Sequence, residues 1–167
     1  RDVLNDIRIP SDWGLEIGVL SEMHRNYASN RLCQVDIADN YDHKHQNLSL
    51  DDDQDGLSKM SIDIAKALFR KLATQGVVFS HEAFRSLKAT YYRMALDIVE
   101  TCHNDAIMNG LTHDIHEEEK AVEMFAENII KAGEVFFTSP MEKPFIPSWN
   151  RVISAVPDIF EQLVAAV

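Results

Sequence analysis

Three groups of side chains in this sequence have the types and spacing for chemistry. The first is Glu16, set between Gly14 and Gly18 in the stretch Ile9-Pro10-Ser11-Asp12-Trp13-Gly14-Leu15-Glu16-Ile17-Gly18. An isolated carboxylate beside two glycines, with histidines just past the next strand-like run, is how α/β enzymes present catalytic groups at strand ends. The second group is His43 and His45, in Asp42-His43-Lys44-His45-Gln46, shortly after the strand-like Gln34-Val35-Asp36. Loops at strand ends are where α/β enzymes carry ligand and phosphate contacts. The third group is a pair of metal-like patterns, Asp51-Asp52-Asp53-Gln54-Asp55-Gly56 and His113, His116 with Glu117.

Each pattern also has a plainer meaning. The acidic run matches the front of a calcium-binding EF-hand loop, with acids at loop positions 1, 3 and 5 and glycine at 6. The bidentate Glu expected at position 12 is replaced by Ile62, and no amphipathic helix precedes the loop. A solvated acidic turn ahead of a helix accounts for it better. The same run contains D-x-D triplets, but in a polar loop rather than directly after a buried strand, so they are read as a decoy. His113, His116 and Glu117 fall at i, i+3 and i+4 and would share a helix face. Zinc there would want a further firm ligand and a satisfied outer shell, and a hydrated helix end is the favoured reading. On residues alone, Glu16 is an ordinary helix-start acid, and the two loop histidines are as well explained by exposure as by ligation.

The elements that must position these groups follow from periodicity and punctuation. Leu15 to Tyr27 reads as a helix, with apolar Leu15, Val19, Leu20 and Met23. Arg31 to Ile37 is the one strand expected, and residues 38–55 a polar loop. Beyond it the pattern is helical: Leu57 to Thr74, stopped by Gly76; a helix from an N-cap at Ser80 towards Cys102; a turn at Asn109-Gly110; and Asp114 to Phe137, with acids in its first turn. Pro140, Pro144 and Pro147 mark an extended connection, and Ser148 or Pro157 opens a last helical region. The expected class is therefore α+β, mostly helical. A lone strand leaves its backbone groups unpaired. Together with the opening Arg1, this leads to the expectation of a C-terminal part of something larger.

Composition narrows the functional classes. Hydrophobic residues make up 46% of 167 positions, enough for a real core. Lys and Arg number 16 against 27 Asp and Glu, a formal charge of −11. That field repels nucleic acid. No apolar run reaches about 18 residues, so no membrane span is expected, and no secretory leader pattern opens the sequence. Cys33 and Cys102 are too few for a disulfide framework, which points to a reducing cytoplasm.

The motifs together resemble the glucosyl-3-phosphoglycerate synthase family of retaining GT-A glycosyltransferases and its mannosyl-3-phosphoglycerate-forming relatives. The resemblance is carried by Ile9 to Gly18, by Cys33-Gln34-Val35-Asp36 and by Tyr41-Asp42-His43-Lys44-His45-Gln46. Weaker support comes from Asn109-Gly110-Leu111, Glu117 to Glu123, and Pro147-Ser148-Trp149 with Arg151-Val152. It covers about residues 7–157. It implies the C-terminal portion of a GT-A, Rossmann-like enzyme, with one or two strands and a helical extension. Residues 1–55 would end the catalytic domain and carry its acceptor and metal loop; residues 56–167 would form the helical region. The implied reaction moves glucose from a nucleoside-diphosphate sugar to 3-phosphoglycerate.

By the same resemblance, Glu16 matches the active-site glutamate near the acceptor, with Gly14 beside it. His43 matches a histidine that helps an upstream D-x-D hold Mg²⁺ or Mn²⁺, and His45 falls among acceptor-binding positions. Tyr41 stands where the family often has Arg. A divalent cation would stabilise the leaving diphosphate as a Lewis acid. A homodimer is implied, and the piece by itself is expected to be inactive. The rival reading, from a different class, is a non-catalytic helical assembly domain.

Overall fold

Caps and turn glycines divide the chain into the helices its periodicity calls for. The computed structural model describes residues 5–27, 29–38, 46–50, 52–140 and 146–166. They include α1 (Leu15–Asn26), a 3-10 turn (Ser29–Arg31), α2 (Gly56–Thr74), α3 (His81–Met108), α4 (Ile115–Thr138), α5 (Trp149–Ala155) and α6 (Ile159–Ala165). The Ser80 hydroxyl accepts from Ala83 N at the start of α3, and Asp114 accepts from His116 N and Glu117 N at the start of α4. α2 and α3 end alike. Gly76 (φ +91°) and Gly110 (φ +68°) take the left-handed conformation that glycine alone adopts without strain. The next amides, Val77 N and Leu111 N, then reach back to Leu72 O (3.1 Å) and Ala106 O (2.8 Å), closing two Schellman motifs.

The chain divides into two compact units: Arg1–Tyr41 with Met141–Val167, and Asp42–Pro140.

The second unit is a three-helix assembly in which α4 packs against both α2 and α3. Its core is aromatic. The Phe84 ring meets Phe69 (4.8 Å between centroids), Phe79 (5.1 Å, stacked), Phe136 and Phe137. Ile62, Ala65, Ile129 and Ile130 pack around it. α4 passes this cluster on small residues, Ala132 and Gly133. A Cβ on Gly133 would lie 2.7 Å from the Phe84 ring, so only glycine allows this approach. Polar groups are buried here too. Asp63 is paired with Lys66 at 2.9 Å and Lys59 at 3.2 Å. The Asn128 amide donates to Ser58 Oγ (3.1 Å), Ser61 Oγ (2.7 Å) and Ser58 O (3.3 Å), tying α4 to α2.

In the first unit, the Ile146 amide donates to Ile9 O at 2.8 Å, an isolated antiparallel bridge. Asn150 Nδ2 donates to Asp6 Oδ1, and Trp149 stacks on Phe160 with centroids 5.3 Å apart.

The expected strand is corrected. Arg31 closes the 3-10 turn, and residues 32–38 enter no ladder. Val35 and Ile37 are 70% and 86% exposed, where a strand of this composition should bury one face. β-Branched residues favour a strand only when a neighbour completes its hydrogen bonds. Among the described residues none does, so these residues form a mostly helical fold with no strand.

Candidate functional site

Glu16 owes its position to a short loop that turns directly into α1. Asp12 starts the turn. Its Oδ1 accepts from Gly14 N at 3.0 Å, and its backbone O accepts from Leu15 N at 3.1 Å. This side chain-backed turn is the reason Asp is useful before a helix. Gly14 is the N-cap, and its carbonyl accepts from Gly18 N at 2.8 Å, the first bond of α1. Pro10 then packs flat on α1, because Gly18 has no Cβ to oppose it. A methyl there would stand 2.3 Å from Pro10 Cδ. Pro10, Gly14 and Gly18 are buried as a result, while Trp13 and Glu16 remain exposed.

The outcome is an accessible carboxylate in the first helical turn, on a loop fixed by backbone bonds. The positive end of the helix dipole lies at that turn and attracts anionic groups. Such a carboxylate can accept a hydrogen bond from an approaching hydroxyl. Two turns along, Glu22 is buried and accepts from Arg25 Nη2 (2.9 Å) and Asn26 Nδ2 (3.3 Å). It acts within its own helix, and the i, i+3, i+4 spacing was the signal for it.

The structure brings Glu16 and Gly14 together, in one loop–helix junction. His43, His45 and Tyr41 lie outside the described residues. Asp36 is exposed, in the segment that forms no strand.

The acidic run does not converge on one point. Asp52 Oδ1 accepts from Gln54 N at 2.8 Å, Asp53 pairs with Lys131 and accepts from Ser58 Oγ, and Asp55 accepts from Ser49 Oγ. Asp51 is outside the described residues. Nor do His113, His116 and Glu117 share a ligand. The His116 ring pairs with Glu119 at 3.0 Å, whereas His113 meets His103. Among the described residues no group of three or more His, Cys, Asp or Glu side chains is placed to hold a metal ion. Those residues therefore do not by themselves fit the cation that the family resemblance implies.

Sequence reasoning also missed a cleft of about 710 Å³ in the second unit, lined by Lys88, Tyr92, Lys120, Glu123, Glu127 and Lys131. Lys88 pairs with Glu127 and Lys131 with Asp53, so much of its positive charge is internally neutralised. No described helix is long and apolar enough to cross a membrane.

Comparison with known proteins supplies what geometry cannot. The chain is 43% identical over 167 residues to the glucosyl-3-phosphoglycerate synthase of Persephonella marina, covering 100% of this chain and 41% of that protein. It is 40% identical to the enzyme of the same name from Methanococcoides burtonii, covering 99% of this chain and 40% of that protein. No family model and no solved structure matches. The resemblance to the glucosyl-3-phosphoglycerate synthases carried by the motifs thus holds along the whole chain, which spans about two fifths of the length of these relatives.

Proposed function

We propose that this chain is the C-terminal portion of a cytoplasmic retaining glycosyltransferase that transfers glucose from a nucleoside-diphosphate sugar to 3-phosphoglycerate. The observation that carries the reading is the 43% identity over all 167 residues to a glucosyl-3-phosphoglycerate synthase. In the reaction, the bond from the anomeric carbon to the diphosphate breaks. A bond forms from that carbon to the acceptor hydroxyl oxygen, and the hydroxyl proton is released. Glu16 accepts the hydroxyl's hydrogen bond and fixes its direction; the Gly14 turn fixes Glu16. His45 contributes to binding the acceptor. His43 is assigned to a divalent cation, Mg²⁺ or Mn²⁺.

The test uses the intact enzyme. Glu16→Gln keeps shape and removes charge, so turnover should fall by about two to four orders of magnitude while the KM for the sugar donor holds. His43→Ala should instead raise the metal requirement and weaken donor use together. Near wild-type kcat in Glu16→Gln would make Glu16 a helix-start acid and nothing more. The 167-residue piece alone should show no transfer in the same assay.

A second reading, self-association through the helical unit, has its own support. Leu87, Met94 and Ile98 are 40%, 51% and 59% exposed on α3, at spacings of seven and four that keep them on one face. Sedimentation velocity should show a homodimer; a monomer at all concentrations would remove this reading.

A further inference from the structure

His103 and His113 occupy an arrangement that the transferase reading does not use. His103 lies in the last turns of α3, five residues before its end. His113 precedes the Asp114 cap of α4. The Gly110 Schellman motif folds the chain back, and both rings are half-buried. Their Nδ1 atoms stand 3.3 Å apart, with ring planes tilted by 51°. Two imidazole nitrogens bound to one tetrahedral Zn²⁺ at about 2.0–2.1 Å each are separated by about 3.3–3.4 Å. The pair therefore already spans one edge of such a coordination shell.

We infer that His103 and His113 form a two-histidine binding site for a borderline transition-metal cation, with Zn²⁺ as its probe. Both rings bind through neutral Nδ1 and keep their proton on Nε2. No third His, Cys, Asp or Glu among the described residues completes the set, so water fills the remaining positions. Affinity is then lower than at a closed structural zinc site. Imidazole ligands select Cu²⁺ and Zn²⁺ over Mg²⁺ and Ca²⁺, which prefer oxygen. The site is thus chemically distinct from the one assigned to His43. A bound ion would join the end of α3 to the start of α4 and stabilise the folded corner by mass action.

The corner is held by backbone bonds: Asn109 N to Asp105 O (3.1 Å), Gly110 N to Ile107 O (3.0 Å) and Leu111 N to Ala106 O (2.8 Å). Binding therefore has little chain entropy to overcome. The metal-free alternative is an N–H···N hydrogen bond, with one ring protonated at Nδ1 and the other at Nε2.

The experiment is a Zn²⁺ titration of the full chain, followed by long-range ¹H–¹⁵N imidazole spectra and by calorimetry. The expected result is that the Nδ1 resonances of His103 and His113 move together and saturably. One equivalent of Zn²⁺ should be lost in both His103→Ala and His113→Ala, and retained in His116→Ala and His43→Ala. Stationary Nδ1 resonances in the wild-type chain, a readout independent of any variant's folding, would overturn the site. So would unchanged stoichiometry in the two variants, leaving an ordinary imidazole–imidazole hydrogen bond.

Discussion

The two compact units invest their residues differently. The Asp42–Pro140 unit is built around buried rings and ion pairs, with Phe69, Phe84, Ala126, Asn128 and Ala132 all inside. The unit formed by residues 1–41 and 141–167 buries Ile7, Pro10, Gly14, Gly18 and Glu22, but leaves Leu20, Val35, Ile37 and Val164 exposed. One unit packs phenylalanine rings into a core, while also leaving Leu87, Met94 and Ile98 exposed. The other uses backbone turns and close glycine contacts to hold a carboxylate where a ligand can meet it. Stability and presentation of the candidate site are therefore separable by mutation.

The sharpest break of that comparison is at Phe84, whose ring touches four others. Phe84→Ala should destabilise the chain by about 3–5 kcal/mol, from lost burial and an unfilled cavity. Urea denaturation followed by circular dichroism measures it. A change below about 1 kcal/mol would mean that the rings are not the core.

A paired test at two glycines comes next. Gly133→Ala forces a methyl to within 2.7 Å of Phe84, inside the core, and should cost about 1–3 kcal/mol. Gly18→Ala places its methyl 2.3 Å from Pro10 Cδ, in the loop that carries Gly14 and leads to Glu16. That loop should move, lowering turnover of the intact enzyme while the cooperative melting of the helical unit stays as it was. If Gly18→Ala melts the helical unit instead, the two units are not separable.

The smallest effect is expected at Ser80. Removing its hydroxyl in Ser80→Ala takes away the α3 cap and should cost about 1 kcal/mol. The exposed Glu82 carboxyl is held below its ordinary value of 4.5, first by its own backbone N–H and then by Ser80. A depressed carboxyl contributes stability above its unfolded pKa and loses it as pH falls through the folded one. Stability of the wild type should therefore drop on acidification more than that of Ser80→Ala, as paired melts across that range would show.

How far this was legible varies with the physics. α2, α3 and α4 could be read closely because each combines apolar periodicity with local punctuation: Gly76, Ser80, Asn109-Gly110 and Asp114 all act within a few residues of themselves. The α3 helix runs to Met108 rather than Cys102, since nothing breaks it before Gly110. The strand at residues 31–37 failed for the opposite reason. Its composition is local, but its hydrogen bonds must come from elsewhere. Glu16 was legible as a helix-start acid beside glycines, and that is where it stands. His113 was read along its own helix face, towards His116. Its partner, His103, is ten residues back across a turn, a distance that periodicity does not encode.

The Asn128 amide has a consequence beyond holding two serines. Its donors meet Ser58 and Ser61 only when α4 sits at one height along α2. Sliding by one helical turn, about 5.4 Å, would break those bonds, and a buried amide left without partners costs roughly 1–3 kcal/mol. Apolar side chains tolerate such a shift far better, since they grip by area and not by direction. A single amide thus selects, among the registers the greasy faces would accept, the one in which this bundle forms.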